Sequence, residues 1–219
     1  MLRSAPFRFA AVDPRSEEAP SAEPERNPEG RSRMVTLVAL WMPIVLASVF
    51  VFVVSAVLHM VLTYHRADYR QLPREAETLA DLRRAGLVPG YYMFPFCSSS
   101  KAMSDPALQE NFKKGPVGML TVVPSGAPNM GKHLSIWFAF CLLVGIFAAY
   151  VAGRTLGSGA HYLTVFRVVG TTAFMAYGFG EITDSVWKGQ PWGNTVRAMF
   201  DGLVYALITA GTFGWLWPR

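Results

Sequence analysis

Residues 162–180 read YLTVFRVVGTTAFMAYGFG, and residues 199–217 read MFDGLVYALITAGTFGWLW. Each stretch is 19 residues long, which is about the length that an α-helix needs to cross the hydrocarbon core of a bilayer. A short polar turn connects them, so the pair predicts a helical hairpin in a membrane. We expect the other apolar helices of the chain to pack against this hairpin.

Small residues recur at intervals of four along the second arm of the hairpin and along an earlier apolar stretch. Such a stripe lets the backbones of two membrane helices approach closely. The residues are Gly202, Ala206, Ala210 and Gly214 in the hairpin, and Gly145, Ala149 and Gly153 in the earlier stretch. The pattern predicts helix packing, either within the chain or against a partner.

The composition of the chain is typical of an integral membrane protein. Hydrophobic residues make up 52% of the 219 residues and charged residues only 16%, whereas soluble domains contain about 25% charged residues. The formal net charge is +5, but the basic residues lie among acidic residues and beside apolar stretches. This distribution indicates contact with a lipid surface and argues against a nucleic-acid partner.

The sequence predicts an all-α membrane protein with four transmembrane helices and a small extramembrane α+β insertion between helices 1 and 2. Within the insertion, residues 75–85 have the composition of a helix, and residues 91–96 and 119–123 that of strands. The predicted parts are a disordered polar tail at 1–33, transmembrane helix 1 at 34–63, the insertion at 64–133, and transmembrane helices 2–4 at 134–152, 162–180 and 199–217.

Arginines near the membrane ends predict the orientation of the chain. The 64–133 segment is too long for its charge to be informative. Outside it, five arginines lie on the side of the termini, against Lys188 and Arg197 on the other side. The excess predicts cytoplasmic termini in a bacterial plasma membrane, with residues 64–133 outside.

Two short patterns resemble functional motifs, but their surroundings argue against an enzyme. Residues 126–132, GAPNMGK, have the spacing of a phosphate-binding loop, yet His133 follows where a serine or threonine would hold magnesium. Residues 98–101 contain S-x-x-K without the further motifs of serine enzymes that use that pair. We therefore expect no catalytic cluster.

Five charged residues lie in or beside the hairpin and are candidates for a functional role: Arg167, Glu181, Asp184, Arg197 and Asp201. We expect Arg167 to extend its side chain to the lipid interface. Arg197 and Asp201 are four residues apart on one helix, so an ion pair between them is predicted. The alternative is a proton or cation site, in which two or three of the carboxylates share an aqueous pocket with raised pKa values.

Two histidines near the ends of the first two spans are candidates for cofactor binding. His59 and His133 are expected at similar depth on antiparallel helices, which would suit a b-type haem or a copper ion. No histidines lie three or four residues apart, as a strong metal motif in a helix requires. No cofactor or metal is therefore expected, and haem remains an alternative.

These features favour a non-catalytic integral membrane subunit, assembly factor or scaffold of a larger membrane complex. Its partners would be the lipid bilayer and either other membrane chains or further copies of itself. The first alternative is a small proton- or cation-coupled transporter or channel that works as a homo-oligomer. The second alternative is a haem- or metal-binding redox protein that uses His59 and His133.

Overall fold

The structure, a computed structural model, describes residues 34–219. The predicted tail at 1–33 lies outside the described residues. The first long helical segment consists of a 3-10 turn at Val38–Leu40, helix α1 at Trp41–Ala56 and a π-helical turn at Val57–Val61. The elements that follow are α2 (Glu75–Arg84), β1 (Gly90–Phe94), α3 (Pro106–Lys114), β2 (Gly118–Val122), α4 (Met130–Thr155), α5 (Tyr162–Tyr177), α6 (Gly180–Lys188) and α7 (Trp192–Leu216).

Three helical segments are long and apolar enough to cross a membrane: Val38–Val61, Met130–Thr155 and Trp192–Leu216. Helix α5 has 16 residues, about 24 Å at 1.5 Å per residue, which is less than a hydrocarbon core of about 30 Å. The predicted crossing at 162–180 is therefore not confirmed, because the helix breaks at Gly178 and continues as the separate helix α6.

The polar turn predicted between the hairpin arms is mostly helical. It contains α6 and the first two turns of α7, which starts at Trp192 directly after Pro191. Proline is favoured at a helix start because the first N–H groups of a helix have no acceptor within the helix, so the missing N–H costs nothing there. The sequence prediction started this helix at residue 199, because hydropathy detects only its apolar part. The first turns of α7 are polar, but they are helical.

The helices α1, α4, α5 and α7 form a ring in which α1 and α5 each pack against both α4 and α7. At one end, Met34 forms an isolated bridge with Gly157. At the other end, the Trp137 indole N–H donates to Ser55 Oγ at 2.8 Å.

Two layers of side chains fill the bundle. One layer contains Leu40, Ile44, Ala47, Ala148, Ala149, Ala152, Val165, Val169, Phe213 and Trp217, and the other contains Val51, Leu58, Cys141, Val144, Ala173, Tyr177, Tyr205 and Ala206.

The insertion between α1 and α4 contains the predicted helix and the two predicted strands. Helix α2 covers residues 75–84, and β1 pairs antiparallel with β2, with Gly90 opposite Val122. Helix α3 was not predicted. Its start has a clear sequence signal, because Asp105 accepts a hydrogen bond from the Ala107 N–H at 2.9 Å and Pro106 follows it directly.

The small residues that were predicted to mediate helix packing lie against neighbouring segments of the chain or are buried. A Cβ atom added to Gly202 would lie 2.8 Å from the Cα atom of Gly178, and one added to Gly214 would lie 2.7 Å from the Tyr162 ring. The other members lie as follows: Gly145 is against Ile44, Gly153 is against Val35, and Ala149, Ala206 and Ala210 are buried. These contacts are all within one chain.

Replacing Gly202 with alanine should destabilise the bundle. The new methyl group would meet backbone atoms of Gly178, which cannot move aside as a side chain can, so we expect a loss of about 1–3 kcal/mol. The matched control is Gly211→Ala in the same helix, where the added Cβ would lie 3.7 Å from the nearest atom, the Tyr162 hydroxyl. Unfolding of both variants in detergent micelles measures the difference, and equal stability would contradict the predicted close contact.

Candidate functional site

The carboxylate of Asp201 is the centre of a polar cluster at the end of the bundle where α1 ends and α7 begins. Asp201 is only 3% exposed. Its Oδ1 atom accepts a hydrogen bond from the Tyr64 hydroxyl. Its Oδ2 atom lies 2.7 Å from His65 Nε2 and 3.6 Å from His59 Nε2. Three side chains from the first half of the chain therefore converge on one buried carboxylate of α7.

Local backbone structure places the two histidines side by side. His59 lies in the π-helical turn that ends the first long segment, where the Leu62 N–H bonds to the Val57 carbonyl oxygen. Such turns are rare and occur frequently at functional sites. The chain then forms a 3-10 turn at Tyr64–Asp68. This turn brings His65 back over His59, and the two rings stack with centroids 4.3 Å apart.

A second group of side chains holds this 3-10 turn against α7. Asp68 Oδ2 lies 2.6 Å from His65 Nδ1, and Arg197 Nε donates to Asp68 Oδ1 at 2.6 Å. Asn194 Nδ2 donates to the backbone oxygen of Asp68 at 3.1 Å, and its Oδ1 accepts from Arg197 at 3.0 Å. His65 is therefore fixed through both ring nitrogens, one on each carboxylate.

The electrostatics of the cluster favour a charged His65. Burial disfavours its imidazolium form, but the hydrogen bonds with Asp68 and Asp201 outweigh burial and raise the pKa of His65. Burial likewise disfavours the Asp68 carboxylate, but hydrogen bonds from His65 and Arg197 lower its pKa. Burial and the hydrogen bond to Asp201 raise the pKa of Tyr64, so its hydroxyl keeps the proton that it donates.

His59, His65 and Asp201 also offer donor atoms close enough together to hold a metal ion. One ligand atom from each residue lies within 4.8 Å of the other two. Two donors on a tetrahedral zinc ion are about 3.3 Å apart, given metal–ligand bonds of about 2.0–2.2 Å. The contact of His65 Nδ1 with Asp68 has the same chemistry as the carboxylate–histidine contacts that orient metal-binding histidines in other proteins.

A cleft of about 450 Å³ opens beside the two histidines. The residues that line it are His59, His65, Asp68, Tyr69, Gln190, Asn194 and Ala198. Asp201 closes the buried side of the cluster, whereas the side chain of His59 is 51% exposed. The cluster is therefore accessible from this side of the bundle.

Two residues that were each predicted to pair with another residue, Arg197 and His59, have other partners in the structure. Arg197 pairs with Asp68 and not with Asp201, so the predicted ion pair four residues apart was wrong. His133 is exposed in the first turn of α4, and the side chains around His59 are His65, Asp201 and Tyr205. The predicted pairing of His59 with His133 is therefore replaced by a pairing with His65.

Sequence reasoning missed Tyr64, His65 and Asp68. A signal was present, because the three residues follow directly after the first apolar stretch, and His65 and Asp68 are three residues apart. Asp201, in contrast, is 136 residues from His65. A local pattern cannot predict contacts across such a distance.

The remaining predicted charged residues lie elsewhere. Asp184 pairs with Lys188 at 2.7 Å and lines a second cleft of about 410 Å³. Glu181 is half-buried in α6, and burial followed by repulsion from Asp184 raises its pKa. Arg167 is exposed on α5 and lines an apolar groove between α5 and α7. The contacts of Asp201 are with the histidines and Tyr64, and not with the two acidic residues of α6.

No known protein family, curated protein or solved structure matches this chain. The chemistry of its own residues therefore indicates what it can bind. Two imidazole nitrogens and one carboxylate oxygen suit zinc, cobalt and iron in the divalent state. The cluster of His59, His65 and Asp201 is the arrangement in the described part of the chain that offers such a set of donors.

Removing the Asp201 carboxylate should destabilise the protein. Asp201→Ala leaves His65 without one of its two carboxylate partners and Tyr64 without an acceptor, so we expect a loss of about 3 kcal/mol, as for a broken buried ion pair. Asp184→Ala is the control, because it removes a partly exposed carboxylate whose partner Lys188 lies at the surface, and its effect should be much smaller. Chemical unfolding in detergent measures both, and equal losses would contradict the central role of Asp201.

Proposed function

We propose that this chain is a membrane protein that binds one divalent transition-metal ion at His59, His65 and Asp201. The observation that carries the proposal is the convergence of two imidazole nitrogens and one buried carboxylate within 4.8 Å. The three residues come from a π-helical turn, a 3-10 turn and α7, so the site forms only when the chain is folded.

The spacing of the donors is compatible with a metal site as well as with a hydrogen-bond network. His65 and Asp201 lie at hydrogen-bond distance, 2.7 Å apart. His59 Nε2 is 3.6 Å from Asp201 Oδ2, which is too long for a hydrogen bond but close to the separation of about 3.3 Å between donors on a zinc ion. A bound ion would replace the proton of His65 Nε2 and would widen that contact by about half an ångström.

A b-type haem fits these residues less well than an ion. Bis-histidine ligation places the two imidazoles on opposite faces of a flat macrocycle. The ring of His59 instead stacks on the ring of His65 with centroids 4.3 Å apart, which leaves no room for a macrocycle between them. His133, the second ligand in the haem alternative, is exposed in the first turn of α4.

A second candidate function is that of a subunit in a larger membrane complex, and the exposed surface of the insertion favours it. Phe96, two residues after β1, is 72% exposed, and Val123, directly after β2, is 71% exposed, so apolar side chains are exposed beyond both ends of the antiparallel sheet. A two-stranded sheet has too little core to be stable alone, so an apolar partner would stabilise it. The homo-oligomeric transporter, the bacterial plasma membrane and the cytoplasmic termini stay predictions.

Equilibrium dialysis of the purified protein against Co²⁺ tests the metal site. We expect one ion per chain, and we expect binding to be lost in His65→Ala and in Asp201→Asn. Asp68→Asn should weaken binding about 10- to 100-fold, because it removes the carboxylate that orients His65. His133→Ala is the matched control and should bind normally. Binding that persists in the doubly substituted His65→Ala, Asp201→Asn protein would overturn the proposal.

Co-purification from native membranes in mild detergent tests the subunit function. Other chains in fixed stoichiometry are expected with the unaltered protein and should be lost after Phe96→Ser together with Val123→Ser, because both side chains are exposed on the insertion. The control is Trp215→Ser, which alters an exposed apolar residue at the far end of α7. A monodisperse protein without other chains would contradict this function.

A further inference from the structure

We infer that the metal centre keeps one coordination position open, and that a small anion with an oxygen or nitrogen donor enters from the cleft beside His59 and His65 to occupy it. The inference rests on the proposed metal site and specifies what that site binds besides the ion. Carboxylates and hydroxide are the chemical classes expected.

The number of protein donors indicates an open coordination position. Closed structural zinc sites have four protein ligands, whereas sites that act on other molecules have three and an open position. The cluster offers three donors, from His59, His65 and Asp201. Asp68 and Tyr64 are already engaged with those donors, because Asp68 contacts His65 Nδ1 and the Tyr64 hydroxyl donates to Asp201 Oδ1. Neither is free to complete the coordination.

The hydroxyl of Tyr205 also favours an anion bound to the ion. It lies 3.3 Å from His59 Nε2, and Tyr205 is only 3% exposed. Once that nitrogen binds a metal ion, it can no longer accept a hydrogen bond from the hydroxyl. A buried hydroxyl without a partner is costly. An anion bound to the same ion would supply the acceptor that Tyr205 then needs.

The net charge of the site likewise favours an anionic ligand. A divalent ion with one carboxylate and two neutral imidazoles carries a residual charge of about +1. The neighbouring charges of Asp68 and Arg197 compensate each other, since their side chains form an ion pair. An anionic ligand would neutralise the centre, whereas a second cation would add to its charge.

The shape of the surface gives access to such a ligand. The cleft of about 450 Å³ beside His59 and His65 is within the size range of small-molecule sites. Gln190 lines both this cleft and the second cleft, whose lining also includes Tyr91 and Lys188. The volume of the cleft beside the histidines leaves space for a ligand larger than hydroxide.

The visible absorption of the Co²⁺-loaded protein tests the inference, because the d–d bands of cobalt change when a ligand is added to it. We expect azide, used as the probe anion, to shift these bands with saturation, and acetate to compete with azide. Ala198→Phe fills the cleft without altering a metal ligand. It should weaken azide binding about tenfold while Co²⁺ still binds. Val196→Phe is the matched control, since Val196 is exposed on α7 and does not line the cleft.

The outcomes separate this inference from the proposed function. Co²⁺ bands that shift with azide, and respond more weakly in Ala198→Phe than in Val196→Phe, would support an open position reached from the cleft. Bands that stay unchanged with azide and acetate would overturn the inference and leave the metal site standing. Failure of Co²⁺ to bind at all would overturn both. An equal response in the two phenylalanine variants would show that the anion does not enter through this cleft.

Discussion

The burial of the Asp201 carboxylate is the constraint on which the rest of the site depends. An anion removed from water needs donors or a cation close by, because its desolvation is otherwise too costly. Tyr64, His65 and His59 supply these partners. The chain after α1 must therefore fold back onto α7. The insertion begins where this folded-back segment, with Tyr64 and His65, contacts α7. The buried carboxylate thus connects the first membrane-length segment with the last.

Close helix packing makes this arrangement geometrically feasible. Gly202 follows Asp201 directly and lies against Gly178 at the end of α5. Because neither glycine has a side chain, α5 and α7 approach backbone to backbone at that level. Asp201 is thereby held on the inner side of α7, where the π-helical turn carrying His59 and the 3-10 turn carrying His65 can reach it.

The same groups would serve the proposed metal site in a different protonation state. In the structure, the rings of His65 and His59 face one oxygen of Asp201, and Asp68 holds the far side of His65. Metal ligands must lose their protons, so a proton and a metal ion compete for the same nitrogen of His65. Arg197 is paired with Asp68 in the structure, and this ion pair holds the 3-10 turn against α7.

The sequence by itself determined that the chain has helices long and apolar enough to cross a membrane, and it determined the small-residue stripes, the helix at 75–84 and the two strands, because hydropathy and residue periodicity are local properties. It also singled out His59 and Asp201, since a polar residue at the end of an apolar stretch is conspicuous. Only the tertiary structure decided which partner each residue has. Arg197 was expected to pair within its own helix, but its partner Asp68 is 129 residues away. The physical reason is that a buried charge is stabilised by whichever donors the folded chain brings within a few ångströms, and chain separation does not limit that choice.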